Sequence, residues 1–304
     1  MNLSLNRNAR WVSSLGRGAT GHRFASTKAS DMAAAAAVEW DGRPLSLRPK
    51  MDFSRLKKAG STRVYIDEEG ARFPSVTSIL SKSNRSDSLL RWKESQIALL
   101  GEQEFKKQQS KTLSDGTRVH ALIESYLTAE NLGDFTPNFT SSTLAAQNAE
   151  NEPDSNRLQQ LWDSVYPVLK DITRAAAVET SVFHPRLKYA GTIDAICEYK
   201  GQLRITDWKT SKKRKYGIED TFDNPLQLAA YMGALYTDSR YPEELRPTSG
   251  MIVVMYDHGP ATPILVSKSE LEEYWNDWLK RYTDFQYLMD HGNLPPLGSV
   301  YASN

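Results

Sequence analysis

The sequence contains a single cysteine, Cys197, among its 304 residues. One thiol cannot close an internal disulfide, build a four-cysteine zinc site or hold a self-contained iron–sulfur cluster. Any metal that this chain binds must therefore be held by oxygen and imidazole ligands.

Long hydrophobic runs are also missing. Two of the more apolar stretches, 33–38 and 251–256, are much shorter than the roughly 20 residues that a membrane-spanning helix needs. We therefore expect a protein that does not enter a membrane. The chain is long enough to bury one good core, which predicts one catalytic domain with additions.

Acidic residues are absent from the first 30 positions, 1–30. This segment carries five basic residues and five serines: Arg7, Arg10, Arg17, Arg23, Lys28, Ser4, Ser13, Ser14, Ser26 and Ser30. Such a composition is typical of a mitochondrial transit peptide, and a basic arm that contacts nucleic acid is the alternative. Without these residues the formal net charge falls from +1 to about −4, so DNA would have to be bound by local basic patches.

The remaining chain divides into periodic and non-periodic segments. Residues 31–60 lack a clear period and are interpreted as a linker, and the polar segment 130–156 is interpreted as a flexible insertion. Helices are predicted over 89–105, after Asp115-Gly116, over 158–172, from Asn224-Pro225 and from a Ser269/Glu272 capping box. Strands are predicted over 63–66, 74–79, 177–183, 192–199, 203–209 and 251–256.

Two aspartates are predicted to face each other across a hairpin. If Lys200 and Gly201 are the central residues of a tight turn, counting back along both strands places Asp194 opposite Asp207. The Cβ atoms of such a pair are about 4.5–5.5 Å apart. Because strand side chains alternate, Lys209 lies on the same face as Asp207.

Two carboxylates and one ammonium group at one end of a strand pair favour a cation site. Facing carboxylates repel each other, and a divalent cation between them reverses the sign of that interaction. The lysine beside them can hold a phosphate or an attacking water. The alternative is a hairpin with ordinary charges on an exposed face.

His120, Glu124 and Glu179 are further candidates. His120 and Glu124 are four residues apart beside the apolar stripe of a predicted helix, from which both can reach a site on the sheet. A surface His–Glu pair is the alternative. Glu179, on the first strand of the series, is the weaker candidate.

A basic run, Lys212-Lys213-Arg214-Lys215, follows the hairpin lysine. A run of this kind beside a metal site suits a polyanion backbone, and a solvated loop is the alternative. Gln227 and Tyr231, four residues apart on the next predicted helix, are candidates for binding a phosphate or stacking on a base. Packing on the sheet is the alternative for both.

These motifs together resemble a known nuclease family. Gly191-Thr192-Ile193-Asp194 followed by Asp207-Trp208-Lys209 is similar to the PD-(D/E)XK nuclease signature, although Thr192-Ile193 stands where the leading proline would be. Two further features narrow the resemblance to the RecB-like branch: the segment Gly116-Thr117-Arg118-Val119-His120 and the spacing of Gln227 and Tyr231. Segments 205–211, 221–227 and 230–234 resemble the mitochondrial genome maintenance exonucleases within it. The similarity runs from about residue 74 to 282.

This resemblance implies a fold and a domain arrangement. The expected fold is a three-layer α/β PD-(D/E)XK nuclease core with a mixed central β-sheet flanked by helices. The expected nuclease domain covers 61–290, with the insertion at 130–156, and a C-terminal tail covers 291–304.

The resemblance also implies a cofactor, a substrate and a location. The implied metal ligands are His120, Asp194, Asp207 and the backbone carbonyl of Trp208. Mg²⁺ is the implied cofactor, and the imidazole ligand makes Mn²⁺ compatible. The implied activity is exonucleolytic hydrolysis of single-stranded DNA at flaps and linear ends, in the mitochondrial matrix and beside the mitochondrial replication machinery.

Two rival functions remain open at this point. A catalytically silent DNA-binding module would keep the fold and lose one of Asp194, Asp207 or Lys209, yet all three are present. A metal hydrolase of small nucleotides would not need the basic run or the Gln227–Tyr231 helix face. Both features favour a polymer substrate.

Overall fold

A five-stranded mixed sheet lies at the centre of the structure. The computed structural model describes residues 43–48, 50–56, 60–83, 87–129, 135–137, 139 and 153–293. The central strands, in their order across the sheet, are β4 (Ile172–His184), β5 (Tyr189–Tyr199), β6 (Gln202–Thr210), β7 (Ser249–Met255) and β8 (Thr262–Val266). Neighbours are antiparallel except β6 and β7, which are parallel.

Six helices and a small second sheet surround these strands in the described part of the chain. The helices are α1 (Val76–Lys82), α2 (Asp87–Leu100), α3 (Glu102–Leu127), α4 (Pro153–Lys170), α5 (Asn224–Thr237) and α6 (Lys268–His291). The second sheet contains β1 (Lys50–Leu56), β2 (Gly60–Ile66) and β3 (Arg72–Pro74). Within this part, no helix has the length and apolar character that crossing a bilayer requires.

The central sheet is covered by helices on both faces. Val119 of α3 and Leu161 of α4 pack on one face, in a cluster that includes Trp208 of β6. Leu228 of α5 and Trp278 of α6 pack on the other. Strand β7 is buried along its whole length, as expected for a strand covered on both sides. The predicted three-layer α/β core with a mixed sheet is confirmed.

The hairpin between β5 and β6 has the predicted turn, and its register is the predicted one as far as Ala195–Thr206, so the predicted Asp194–Asp207 pair lies just beyond the ladder. Lys200 and Gly201 have φ values of 50° and 72°, the signs that a type I′ turn requires. The paired ladder runs from Tyr199–Gln202 back to Ala195–Thr206. Beyond that pair the ladder stops, because the Asp194 carboxylate accepts the Trp208 N–H at 2.9 Å in place of a backbone oxygen.

Several element boundaries differ from the predicted ones. The break between α2 and α3 lies at Gly101, whose φ of 77° ends the first helix, and α3 runs through Asp115-Gly116. Segment 76–82 is a helix capped by Ser75 where a strand was predicted over 74–79. The capping box of α6 uses Ser267 and Glu270, two residues before the predicted pair.

The N-terminal part differs more strongly. Strand β1 lies inside the range predicted as a linker, and Leu45 forms a parallel bridge with Ala177 at the edge of the central sheet. The linker prediction over 31–60 is therefore wrong for these described residues. In the predicted insertion, Phe135 packs against Tyr126 and Trp162, and α4 begins at residue 153. The predicted transit peptide 1–30 and most of the tail 291–304 lie outside the described residues.

Gly191 of β5 is required by a close approach of α5. A Cβ atom at this position would lie 2.2 Å from Cε1 of Tyr231, well inside van der Waals contact. Gly116 of α3 is different, because a Cβ there would meet nothing nearer than the Thr210 hydroxyl at 4.0 Å.

We expect Gly191→Ala to lower the free energy of unfolding by about 1–3 kcal/mol, because the ring of Tyr231 must move. Gly116→Ala is the matched control and should stabilise α3 by about 0.5–1 kcal/mol, since alanine loses less backbone entropy in a helix. Urea unfolding measures both. Wild-type stability of the Gly191→Ala protein would contradict the close packing.

Candidate active site at the ends of β4, β5 and β6

Three neighbouring strands each bring one acidic residue to the same level of the sheet. The pairs Val178–Ala195 and Thr180–Ile193 flank Glu179 and Asp194. Asp194 and Asp207 directly follow the last pair of the β5–β6 ladder, Ala195–Thr206, and are near enough for the Asp194 charge to raise the pKa of Asp207. We call Glu179, Asp194 and Asp207 the acidic row. Like charges in adjacent strands are destabilising unless cations compensate them.

The alternation of side chains breaks at this level. Ala177 and Val182 of β4 both contribute to the core under α5 and α6, as do Ile193 and Ile196 of β5. Residues on one face of a regular strand are separated by an even number of positions, and these pairs are not. Both strands are therefore distorted at the acidic row, and in β4 the distortion is visible as a φ of +44° at Glu179.

His120 enters this site from α3. Its Nε2 lies 2.9 Å from the Trp208 carbonyl oxygen. Its Nδ1 lies 3.7 Å from Asp194 Oδ2 and 3.8 Å from Glu179 Oε1. A carbonyl and ionised carboxylates accept hydrogen bonds but do not donate them, so both ring nitrogens face acceptors.

Lys209 and Gln227 contact Asp207 from the strand and from α5. The Lys209 Nζ lies 2.7 Å from Asp207 Oδ1 and 2.6 Å from Oδ2. The Gln227 amide donates to Oδ1 at 3.2 Å and to the Tyr231 hydroxyl at 2.9 Å. Among the described residues, the buried Oδ2 has no partner in hydrogen-bond geometry. A buried anionic oxygen of this kind is a natural position for a cation.

Burial and neighbouring charges shift the pKa values of four of these residues: His120, Asp194, Asp207 and Lys209. Burial raises the pKa of Asp207 to about 6, and the Asp194 carboxylate adds to the rise against the opposing effect of Lys209. The pKa of Asp194 is also raised, mainly by burial. For His120 and Lys209, burial lowers the pKa, but the neighbouring carboxylates outweigh it and the net shift is upward. Asp194 and Asp207 therefore bind protons more strongly than ordinary carboxylates do, and a divalent cation would compete with these protons.

The residues present fit a divalent cation. Mg²⁺ takes octahedral ligands at about 2.0–2.1 Å, so neighbouring ligand atoms lie about 3 Å apart. The separation of His120 Nε2 and the Trp208 oxygen, 2.9 Å, has this value. Donor atoms of His120, Glu179 and Asp194 also lie within 4.8 Å of one another.

The predicted metal ligands are therefore brought together to different degrees. His120 contacts both the Trp208 carbonyl and Asp194, and Asp194 accepts the Trp208 N–H. Asp207 contacts Gln227 through Oδ1 and Lys209 through both oxygens, and its Oδ2 faces only the Lys209 ammonium. Glu179, the weaker candidate from the sequence, lies directly against the His120 ring.

Two other candidates are placed differently from the prediction. The Glu124 carboxylate pairs with Arg48 at the surface and is not part of the site. Tyr231 is buried, with its hydroxyl bonded to Gln227, so stacking on a base is excluded and packing is the correct alternative. Gln227 contacts the acidic row instead of solvent.

The basic run lies on the loop that follows β6, and we call residues 212–215 the basic loop. Lys212, Lys213 and Arg214 are exposed. Lys212 reaches across to the Gln108 side chain of α3 at 2.8 Å. Lys215 is half-buried, with its Nζ 4.9 Å from the centre of the Phe222 ring.

Exposed aromatic side chains near the basic loop were missed at the sequence level. Tyr216 directly follows the loop and is 85% exposed. The rings of Trp92 and Phe222 lie 6.1 Å apart, and both are more than a third exposed. The adjacency of Tyr216 to a basic run was a signal available in the sequence. The pairing of Trp92 with Phe222 was not, because 130 positions separate them.

Comparisons with known proteins agree with this arrangement. A family model of the PD-(D/E)XK nuclease superfamily matches residues 86–298. Proteins named mitochondrial genome maintenance exonuclease 1 are 36% identical over 217 residues in Homo sapiens, 35% over 231 in Mus musculus and 36% over 217 in Xenopus tropicalis. These matches cover 70%, 75% and 70% of this chain and 58%, 63% and 57% of the relatives, so the chain spans less than two thirds of their length. The family model covers α2 to α6 and all three strands that carry the acidic row. The chain therefore belongs to the PD-(D/E)XK nuclease superfamily.

Proposed function

We propose that this protein is a metal-dependent exonuclease that hydrolyses phosphodiester bonds in single-stranded DNA. The observation that carries the proposal is the acidic row with Lys209 and His120 against it. Three carboxylates that one lysine and one histidine compensate only in part suit a divalent cation and a phosphate together.

We assign the cation to His120, Asp194, Asp207 and the Trp208 carbonyl, with Mg²⁺ as the physiological ion and Mn²⁺ as a substitute. When bound there, the ion supplies charge stabilisation for the phosphoryl group and acidifies water. Gln227 fixes the orientation of the Asp207 carboxylate by donating to Oδ1, and we assign the ion to Oδ2, which it would share with the Lys209 ammonium.

Lys209 acts as a cation in this scheme. Burial lowers the pKa of its amine, but the neighbouring carboxylates outweigh this effect and raise the pKa above the ordinary value, which favours the protonated form. It donates hydrogen bonds that orient the attacking water and stabilise the charge that develops on the phosphoryl oxygens.

The surroundings of the site suit single-stranded DNA. The basic loop begins three residues after Lys209 and offers positive charge to a backbone, while Trp92, Phe222 and Tyr216 offer exposed rings on which unpaired bases stack. A duplex would present its bases only at the groove edges, where these rings have nothing to stack on.

A role in mitochondrial DNA maintenance is the context we propose, with degradation of linear DNA and of flaps displaced during replication. Its supports are the names of the relatives and the composition of residues 1–30. The matrix location and the association with the replication machinery belong to the same proposal.

We expect the protein to degrade linear single-stranded DNA in the presence of Mg²⁺ and to spare a circular strand of the same sequence. Lys209→Ala should lower kcat by at least about 100-fold, as for the loss of one electrostatic contact in a transition state. Terminally labelled oligonucleotides measure the products, and fluorescence anisotropy in Ca²⁺ measures binding, which should change little.

Glu124→Gln is the control for this experiment, since that carboxylate pairs with Arg48 outside the site. Its rate should equal that of the wild type. Equal cleavage of circles and linear strands would exclude the exonuclease assignment, and undiminished turnover by Lys209→Ala would remove Lys209 from the mechanism.

Mg²⁺ should stabilise the fold more strongly as the pH rises. Burial raises the pKa of Asp207 from its ordinary value of 3.8 to about 6 in the folded chain, so the metal-free protein loses stability as the pH increases through that interval. The ion binds the ionised carboxylates, so its stabilising effect grows in the same direction. The rise in melting temperature on adding Mg²⁺ should therefore be larger near about pH 7.5 than near about pH 5.5.

The comparison protein for that measurement is Asp207→Asn, in which the pH dependence of the Mg²⁺ effect should be reduced. A Mg²⁺ effect that is independent of pH, or larger in acid, would show that these carboxylates do not bind the ion.

Replacing Lys212 and Lys213 by glutamine should weaken binding of single-stranded DNA without changing kcat at saturation. If each lysine contacts one phosphate, the slope of log affinity against log salt should become shallower by about 1.4. Lys280→Gln is the control, because Lys280 is exposed on α6 and paired with Asp277. An unchanged slope in the double variant would mean that the basic loop is an ordinary solvated loop.

A further inference from the structure

Glu179 has an unusual backbone conformation for its position. It lies inside the 13-residue strand β4, yet its φ is +44°. Residues other than glycine rarely adopt this region, and where they do so near an active site the conformation commonly serves the site. The position is nevertheless occupied by a glutamate and not by a glycine, which indicates that the side chain is needed.

The surrounding hydrogen bonds hold Glu179 in this conformation from both sides. The Val178 N–H donates to the Leu45 carbonyl, and the Ser181 N–H donates to the Leu47 carbonyl. On the opposite edge, the neighbours of Glu179 pair with Ala195 and Ile193 of β5. Because the strand is fixed immediately before and after Glu179, its backbone cannot relax without breaking these contacts.

The Glu179 carboxylate lies on the opposite side of the imidazole from the Trp208 carbonyl. Its Oε1 is 3.8 Å from His120 Nδ1, while His120 Nε2 is 2.9 Å from the carbonyl oxygen. Asp194 Oδ2 is equally near Nδ1 but already accepts the Trp208 N–H. Glu179 is therefore the carboxylate available to the Nδ1 proton. The contact is longer than a hydrogen bond, and a side-chain movement of about 1 Å closes it.

We propose that Glu179 is a positioning residue that binds the Nδ1–H of His120 and so directs Nε2 toward the metal ion. Histidines that bind metals commonly donate their other ring proton to a carboxylate, which fixes the tautomer and the ring orientation and increases the basicity of the ligand nitrogen. This inference rests on the proposed metal-dependent function and adds a residue that positions one member of the ligand set assigned above, His120.

The test is a double-mutant cycle on Mn²⁺ binding, measured by electron paramagnetic resonance with the full chain and no DNA. Glu179→Ala should weaken Mn²⁺ binding by about 10- to 100-fold, the usual effect of losing such a partner. In a His120→Ala background the same substitution should have almost no further effect, because Glu179 acts through the ring. Glu198→Ala is the matched control on β5, where the carboxylate pairs with Arg174, and should bind Mn²⁺ as the wild type does.

Glu179→Gly separates this role from a structural one. Glycine adopts a positive φ without strain, so the metal-free variant should melt at or above the wild-type temperature while Mn²⁺ binding is weakened. A lower melting temperature with normal Mn²⁺ affinity would make Glu179 a structural residue. An equal loss of affinity in both backgrounds of the cycle would make it an independent ligand. Either result overturns the proposal.

These measurements are independent of nuclease activity. If the protein fails to degrade DNA, the Mn²⁺ cycle still reports on Glu179. If Mg²⁺-dependent degradation is present and Glu179→Ala binds Mn²⁺ normally, only the inference about Glu179 fails.

Discussion

Repulsion among the three carboxylates of the acidic row is the constraint on which the site depends. Glu179, Asp194 and Asp207 occupy neighbouring strands at one level, and Asp207 is almost completely buried. Removing ionised groups from water is costly, and placing like charges together adds to that cost. The sheet nevertheless holds them there, because the hydrogen-bonded register and the apolar residues on both faces leave the strands no other arrangement.

Compensating groups reach the acidic row from both helical layers. His120 arrives from α3 on one face of the sheet, and Gln227 arrives from α5 on the other. The start of α5 is itself anchored, since the buried Arg281 of α6 binds the Asp223 carboxylate through two nitrogens and the Ser83 hydroxyl through a third. The site is thus fixed by long-range contacts as well as by the strands. The ammonium of Lys209 and the imidazole of His120 do not neutralise three carboxylates, so a net negative charge remains to attract a divalent ion.

The strand-borne part of this site is predictable because β-structure can be counted. A turn that needs two positive φ values marks Lys200-Gly201, and from that point the register of β5 and β6 follows residue by residue. The alternation of side chains then places Lys209 with Asp207. The three-layer core follows from apolar stripes on helices that alternate with apolar strands. None of these steps requires knowledge of contacts between distant parts of the chain.

The remaining features depend on such distant contacts. Glu179 was a weak candidate because counting side chains along a strand assumes a regular strand, and β4 changes face at this residue. The sequence also has no glycine there to indicate the positive φ. Tyr231 was a candidate for base stacking because periodicity does not show that Gly191 allows its ring to approach the sheet. Glu124 was paired with His120 by helical spacing, yet Arg48, 76 positions earlier, takes its carboxylate. In each case a local rule gave the correct element, and a residue far away in the sequence decided what the side chain does.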